Sequence, residues 1–205
     1  MWFSIVITVL VGYMLGNLNG AVCISQIMKD DVRTHGSGNA GLTNFIRNYG
    51  VGMALYVVLI DAGKAVLACL AGGLMLQTYG KEYYLMGAMI GGLSVMLGHD
   101  FPALLGFKGG KGILSGLFIA VSTDYRVALL ALAVFVIAYL LTQYVSLGSV
   151  LGALTLSGAY VWLHFNEPVI AICGGVMGLL AVYMHRSNIA RLLKGEERKT
   201  NLFKK

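Results

Sequence analysis

The chain has 205 residues, 58% of them hydrophobic and only 12% charged, with 28 glycines and a formal net charge of +6. A soluble domain carries about 25% charged residues, so water is excluded as the main solvent, and the mean hydropathy of +0.77 points to a helical chain that crosses a bilayer repeatedly. In such a chain surplus Lys and Arg report which loops stay cytoplasmic, and nucleic acid is not an expected partner.

Met1-Trp2-Phe3 runs directly into an apolar segment with no cationic stretch before it, the pattern of a permanent span rather than a cleaved signal. Apolar runs place spans at 2–24, 51–77, 83–98, 110–123, 127–142, 148–165 and 168–184. The expected fold class is therefore an all-α integral membrane protein, one domain over 1–205 with seven transmembrane helices. Its N-terminus lies outside and its C-terminus in the cytoplasm. The fourth run is short of the roughly 20 residues that a span needs, and charge supports keeping it. With seven spans, Lys29, Arg33, Arg47, Lys108, Lys111, Arg186, Arg191, Lys194, Arg198, Lys199, Lys204 and Lys205 lie inside, against Lys81 and Arg126 outside. Deleting the fourth span would put the basic tail opposite the first two basic loops.

After the first span comes Gly36-Ser37-Gly38-Asn39-Ala40-Gly41-Leu42-Thr43-Asn44-Phe45-Ile46-Arg47. Glycines let backbone N–H groups converge on a phosphate, Ser37 and Thr43 add hydroxyls, and Arg47 can bind bidentately. The formal GxGxxG match lacks the strand that a dinucleotide site requires, and the same composition also suits an ordinary turn. Asp61 and Lys64, three apart within the second span, are expected to neutralise one another, with transport or proton relay as the other reading.

The next loop reads Gly98-His99-Asp100-Phe101-Pro102-Ala103-Leu104-Leu105-Gly106-Phe107-Lys108-Gly109-Gly110-Lys111-Gly112. Lys111 lacks the Ser or Thr that would follow it in a nucleotide P-loop. Lys108 and Lys111 can still hold phosphate as point charges, or Lys108 can anchor a cytoplasmic loop. His99 can shuttle protons or close a helix end. No histidine spacing suggests a metal. Ser149 follows in Val145-Ser146-Leu147-Gly148-Ser149, as a polar lining or a packing residue. The tail from His185 to Lys199 is basic and amphipathic, suited to anionic lipid, and His185 and Asn188 share one helical face.

Together the GSGNAGLTNFIR, GHDFPALLGFKGGKG and HRSNIARLLKGEERK segments resemble, in order and spacing, the three motifs of the bacterial acyl-phosphate:glycerol-3-phosphate acyltransferase family, PlsY. Ala65 after Lys64, where the family commonly has Gly, is a departure that bears on packing. The resemblance implies three cytoplasmic segments forming one site, and transfer of a fatty acyl group from acyl phosphate to glycerol 3-phosphate. The products are lysophosphatidate and inorganic phosphate, the first step of phospholipid synthesis, made at the bacterial inner membrane. The expected catalytic residues are His99, Lys111, Ser37 and Asn188; the expected substrate ligands are Arg47, Gly38, Asn39, Thr43, Asn44, Lys108, Gly110, Ser149 and His185. The expected partners are glycerol 3-phosphate, acyl phosphate and membrane lipid, with no cofactor or metal. Neither a GxSxG elbow nor an HxxxxD pair is present, so His99 or a substrate phosphate is expected to take the hydroxyl proton. A transporter of an anionic metabolite is the alternative function.

Overall fold

The computed structural model describes residues 1–200; Lys204 and Lys205, counted above among the cytoplasmic charges, lie outside that range. Two compact units divide the chain, Met1–Thr123 and the residues from Asp124 onward. All regular structure among the described residues is helical.

The first unit opens with α1 (Trp2–Gly16) and α2 (Gly20–Ile27), which together form an apolar stretch long enough to cross a membrane. The expected span 2–24 is thus broken, and two asparagines account for the break. Asn17 donates to the Tyr13 carbonyl at 2.8 Å and accepts from the Leu104 amide at 2.9 Å. Asn19 caps α2 by accepting from the Val22 amide at 3.0 Å. The amphipathic α3 (Leu42–Tyr49) follows, then the long α4 (Ala54–Gln77) and α5 (Tyr83–Asp100).

Lipid tails give apolar side chains no reason to seek each other, so small residues that permit close approach decide which helices pair. A side chain at Gly12 of α1 would meet Gly91 O and Ser94 Cβ of α5, both at 2.8 Å. Likewise, a side chain at Gly72 of α4 would run into the Gly87 carbonyl of α5. In this way α5 is held against both α1 and α4, which brings its polar C-terminal end, His99 and Asp100, into the interior.

The expected fourth span, 110–123, contains only the 11-residue α6 (Ile113–Thr123). Its first residues stay unwound because Gly112 adopts a positive φ, which no right-handed helix accommodates.

The second unit consists of α7 (Tyr125–Thr142), α8 (Val145–Leu163), α9 (Pro168–Met184) and α10 (Arg186–Leu193). A side chain at Gly178 of α9 would meet Ala153 O of α8 at 2.5 Å, so small residues again set the packing. Asp124 caps α7 through the Arg126 amide at 2.9 Å and bonds His164 Nε2 at 2.9 Å, while His164 Nδ1 reaches Glu167 at 3.2 Å. The Arg126 guanidinium is the largest influence on the Asp124 carboxyl, which is held down at about 2.

Among the described residues, five stretches are long and apolar enough to cross a membrane: Trp2–Ile27, Ala54–Gln77, Tyr83–Leu105, Tyr125–Thr142 and Val145–Leu163. A sixth exists if Pro168–Met184 and Arg186–Leu193, bent by 55° at their junction, count as one.

Candidate active site

The first glycine-rich loop is organised by Asn44, buried at the start of α3. Its Oδ1 accepts from the Ser37 amide at 3.0 Å, and its Nδ2 lies within reach of the carbonyls of Val32, His35 and Asn39 at 3.0–3.1 Å. The Gly38 amide donates to His35 O at 2.9 Å. Asn44, expected among the substrate ligands, directs its amide into the loop, and the Ser37 and Gly38 N–H groups are bonded internally. The Ser37 side chain remains exposed, Asn39 and Thr43 are half-buried, and Arg47 is exposed on α3. Asn19 fixes the loop to the bundle by donating to the Ala40 carbonyl at 2.9 Å.

Arg33, which the sequence reading counted only as a cytoplasmic charge, joins this loop to the second one. Its Nε and Nη2 pair with Asp31, at 2.7 Å for the Nη2 contact, and Nη1 donates to Leu105 O at 3.3 Å. Between the loops lies an open depression of about 550 Å³ lined by Arg33, Gly38, Leu105, Gly106 and Lys108. That volume suits a small phosphorylated molecule. Arg33 shares its charge with Asp31, whose carboxyl it holds below the usual range. Lys108 is exposed and makes no ion pair among the described residues, so it supplies the uncompensated positive charge of the depression.

The second loop is built on His99. The His99 carbonyl accepts from the Gly110 amide at 3.0 Å, and a Cβ at Gly110 would fall on His99 Nε2, so only glycine fits there. Lys111, half-buried, follows directly. On the other side of the ring, His99 Nδ1 lies 2.7 Å from Lys64 Nζ. Lys64 also reaches Asp61 Oδ1 at 2.8 Å, Leu18 O at 2.6 Å and Gly16 O at 3.3 Å. Asp61 Oδ1 in turn accepts from the Gly20 amide at 3.1 Å. The pair expected to neutralise itself does so, and it also ties the α1–α2 break and α4 to the histidine that supports the second loop.

In the second unit His185 and Asn188 are both buried at the α9–α10 bend. His185 Nδ1 donates to the Ala181 carbonyl at 2.8 Å, which in a neutral ring leaves the lone pair on Nε2. Asn188 Nδ2 donates to Glu197 at 2.7 Å and Arg191 Nε to the same carboxylate at 2.6 Å. Burial pushes the Glu197 carboxyl up, but the bonds from Asn188 and Arg191 outweigh it and leave the group below its ordinary value. Ser149 is buried on α8 one turn from Ser146, whose buried hydroxyl leans toward Glu197 without a well-formed bond.

A family model described as Glycerol-3-phosphate acyltransferase matches residues 6–195. The chain belongs to this family. It is 39% identical over 197 residues to a glycerol-3-phosphate acyltransferase of Thermoanaerobacter pseudethanolicus, covering 95% of this chain and 94% of that one. With a namesake from Finegoldia magna it shares 38% identity over 202 residues, 97% of each. Two crystal structures of PlsY, an integral membrane glycerol 3-phosphate acyltransferase, are similar at 30% identity. The glycerol 3-phosphate form gives a TM-score of 0.84, covering 98% of this chain and 100% of that chain. The lysophosphatidic acid form gives 0.81, covering 97% and 96%. This acyltransferase is accordingly a multi-pass integral membrane enzyme of phospholipid synthesis.

Sequence reasoning passed over Arg33, Glu197 and the Asp61–Lys64–His99 contact in this acyltransferase. Arg33 sits outside the glycine-rich segment, and Glu197 lies among charges that read as solvated. Lys64 and His99 are 35 positions apart, and no local spacing reports such a contact.

Proposed function

We propose that the enzyme transfers a fatty acyl group from acyl phosphate to the 1-hydroxyl of glycerol 3-phosphate. The hydroxyl oxygen bonds to the acyl carbonyl carbon, the carbon–oxygen bond to phosphate breaks, and the hydroxyl proton ends on the released phosphate. Because the donor is already activated, positioning and stabilisation of the carbonyl oxyanion suffice without an acyl-enzyme. Lys108, Lys111, Arg33 and Arg47 serve as cations for two phosphorylated substrates, with Ser37, Thr43 and Asn39 as neutral partners. Ser149, His185 and Asn188 serve the same reaction, and the two units act as one enzyme domain. The acyl chain stays in lipid. Seven membrane segments, with α6 as the short fourth, an outside N-terminus and the motif segments at the cytoplasmic face of a bacterial inner membrane, agree with the bias of basic residues.

The single observation carrying this reading is the depression where Arg33 joins two glycine-rich loops beside Lys108. Purified protein given acyl phosphate and glycerol 3-phosphate should release phosphate and form lysophosphatidate in equal amounts. Lys111→Met should lower kcat/KM by about 100-fold. Phosphate release with no lysophosphatidate, or flux of glycerol 3-phosphate across sealed vesicles without acylation, would overturn it.

A further inference from the structure

His99 has two ring nitrogens in different surroundings. Around Lys64 Nζ stand four acceptors: Asp61 Oδ1, Leu18 O, Gly16 O and His99 Nδ1. Such a shell suits an ammonium, whose three N–H groups serve the three nearer acceptors and leave Gly16 O at 3.3 Å as the weakest contact. An ammonium at 2.7 Å requires a lone pair on Nδ1, and a neutral imidazole then carries its proton on Nε2. Nε2 is the atom against Gly110, inside the lysine-flanked loop, and it has no hydrogen bond among the described residues. Two charged groups lie close to the ring, Asp61 and Lys64 from α4, and the next residue on α5 is Asp100, whose buried carboxyl has no hydrogen-bond partner among the described residues.

We propose that Lys64, held in place by Asp61, is a positioning residue that fixes His99 as the Nε2–H tautomer, so that His99 presents a hydrogen-bond donor, not a proton acceptor, to a phosphoryl oxygen at the 106–112 loop. Only the identity of that phosphoryl group rests on the acyl-transfer reading. Two observations converge on this assignment. The Asp61–Lys64 pair carries no net charge, so burying it does not call for a substrate ion. Meanwhile glycine at 110 lets the loop backbone pass directly against the one ring nitrogen that is not already bonded, which places Nε2 at the lysine-flanked loop.

The tautomer can be read without substrate, which separates this proposal from the reaction assignment. In nitrogen-15-labelled protein in micelles, with the His99 signals assigned by their loss in His99→Gln, Nε2 should be protonated and Nδ1 unprotonated between about pH 6 and about pH 8. A protonated Nδ1, or an imidazolium in that range, overturns the proposal. The Asp61→Asn, Lys64→Met double variant leaves no buried charge of the pair unpaired and should show both tautomers. A single unchanged tautomer there removes Lys64 from its role. In the acyl-transfer assay His99→Gln places an amide nitrogen near the Nε2 position and should lose less than about fivefold in kcat/KM, whereas His99→Asn cannot reach it and should lose about 10- to 100-fold. Equal losses in the two variants would make His99 the base and sink the donor role.

Discussion

At the scale of single residues, two side chains hold motif segments by their own hydrogen bonds. Asn44 satisfies the inside of the first loop, so Asn44→Ala leaves the Ser37 amide and several carbonyls without their partner. We expect a loss of about 1–3 kcal/mol in stability with a rise in KM for glycerol 3-phosphate, measured by thermal unfolding in detergent and by steady-state kinetics. Glu197 performs the same service for the tail. Its folded carboxyl titrates below the unfolded value of about 4.3, so its contribution is fully present above that pH and disappears as pH falls through the folded value. Melting temperature followed from neutral pH to about pH 3 should therefore decline less steeply in Glu197→Gln than in the parent. Asp124 gives a second such step at lower pH, lost between about 4 and its folded value of about 2.

At the scale of elements, the apolar runs were readable because burial in lipid needs only length and hydropathy, and 168–184 coincides with α9. Boundaries set by polar side chains were not readable. Asn17 and Asn19 divide the first span. The glycine-rich segments suggest a phosphate site by composition, yet which glycines serve turns and which serve helix contacts depends on neighbours distant in sequence. Gly63 and Gly91 show the difference. Nothing lies near a side chain added at Gly63, whereas one at Gly91 would strike the Ala68 carbonyl of α4. Gly91→Val should destabilise by about 1–3 kcal/mol, while Gly63→Ala should be neutral or slightly stabilising, both measured as shifts in the detergent melting curve.

At the scale of the whole molecule, the distribution of basic residues predicts one face for 29–47, 108–111 and 186–199, and the opposite face for Lys81 and Arg126. Single cysteines placed at Lys81 and at Lys194, in a chain whose Cys23, Cys69 and Cys173 have been replaced, should react with an impermeant maleimide from opposite sides of intact vesicles. Labelling of both from one side would refute seven segments. The short α6 carries a further consequence. Eleven residues rise about 16 Å, roughly half of a hydrocarbon slab about 30 Å thick, so at least one flank of this helix sits below the headgroups or draws them inward. If that flank is the lysine-bearing one, water-borne phosphate descends to the depth where a fatty chain already carries its carboxyl end, and neither reactant has to leave its own solvent to meet the other.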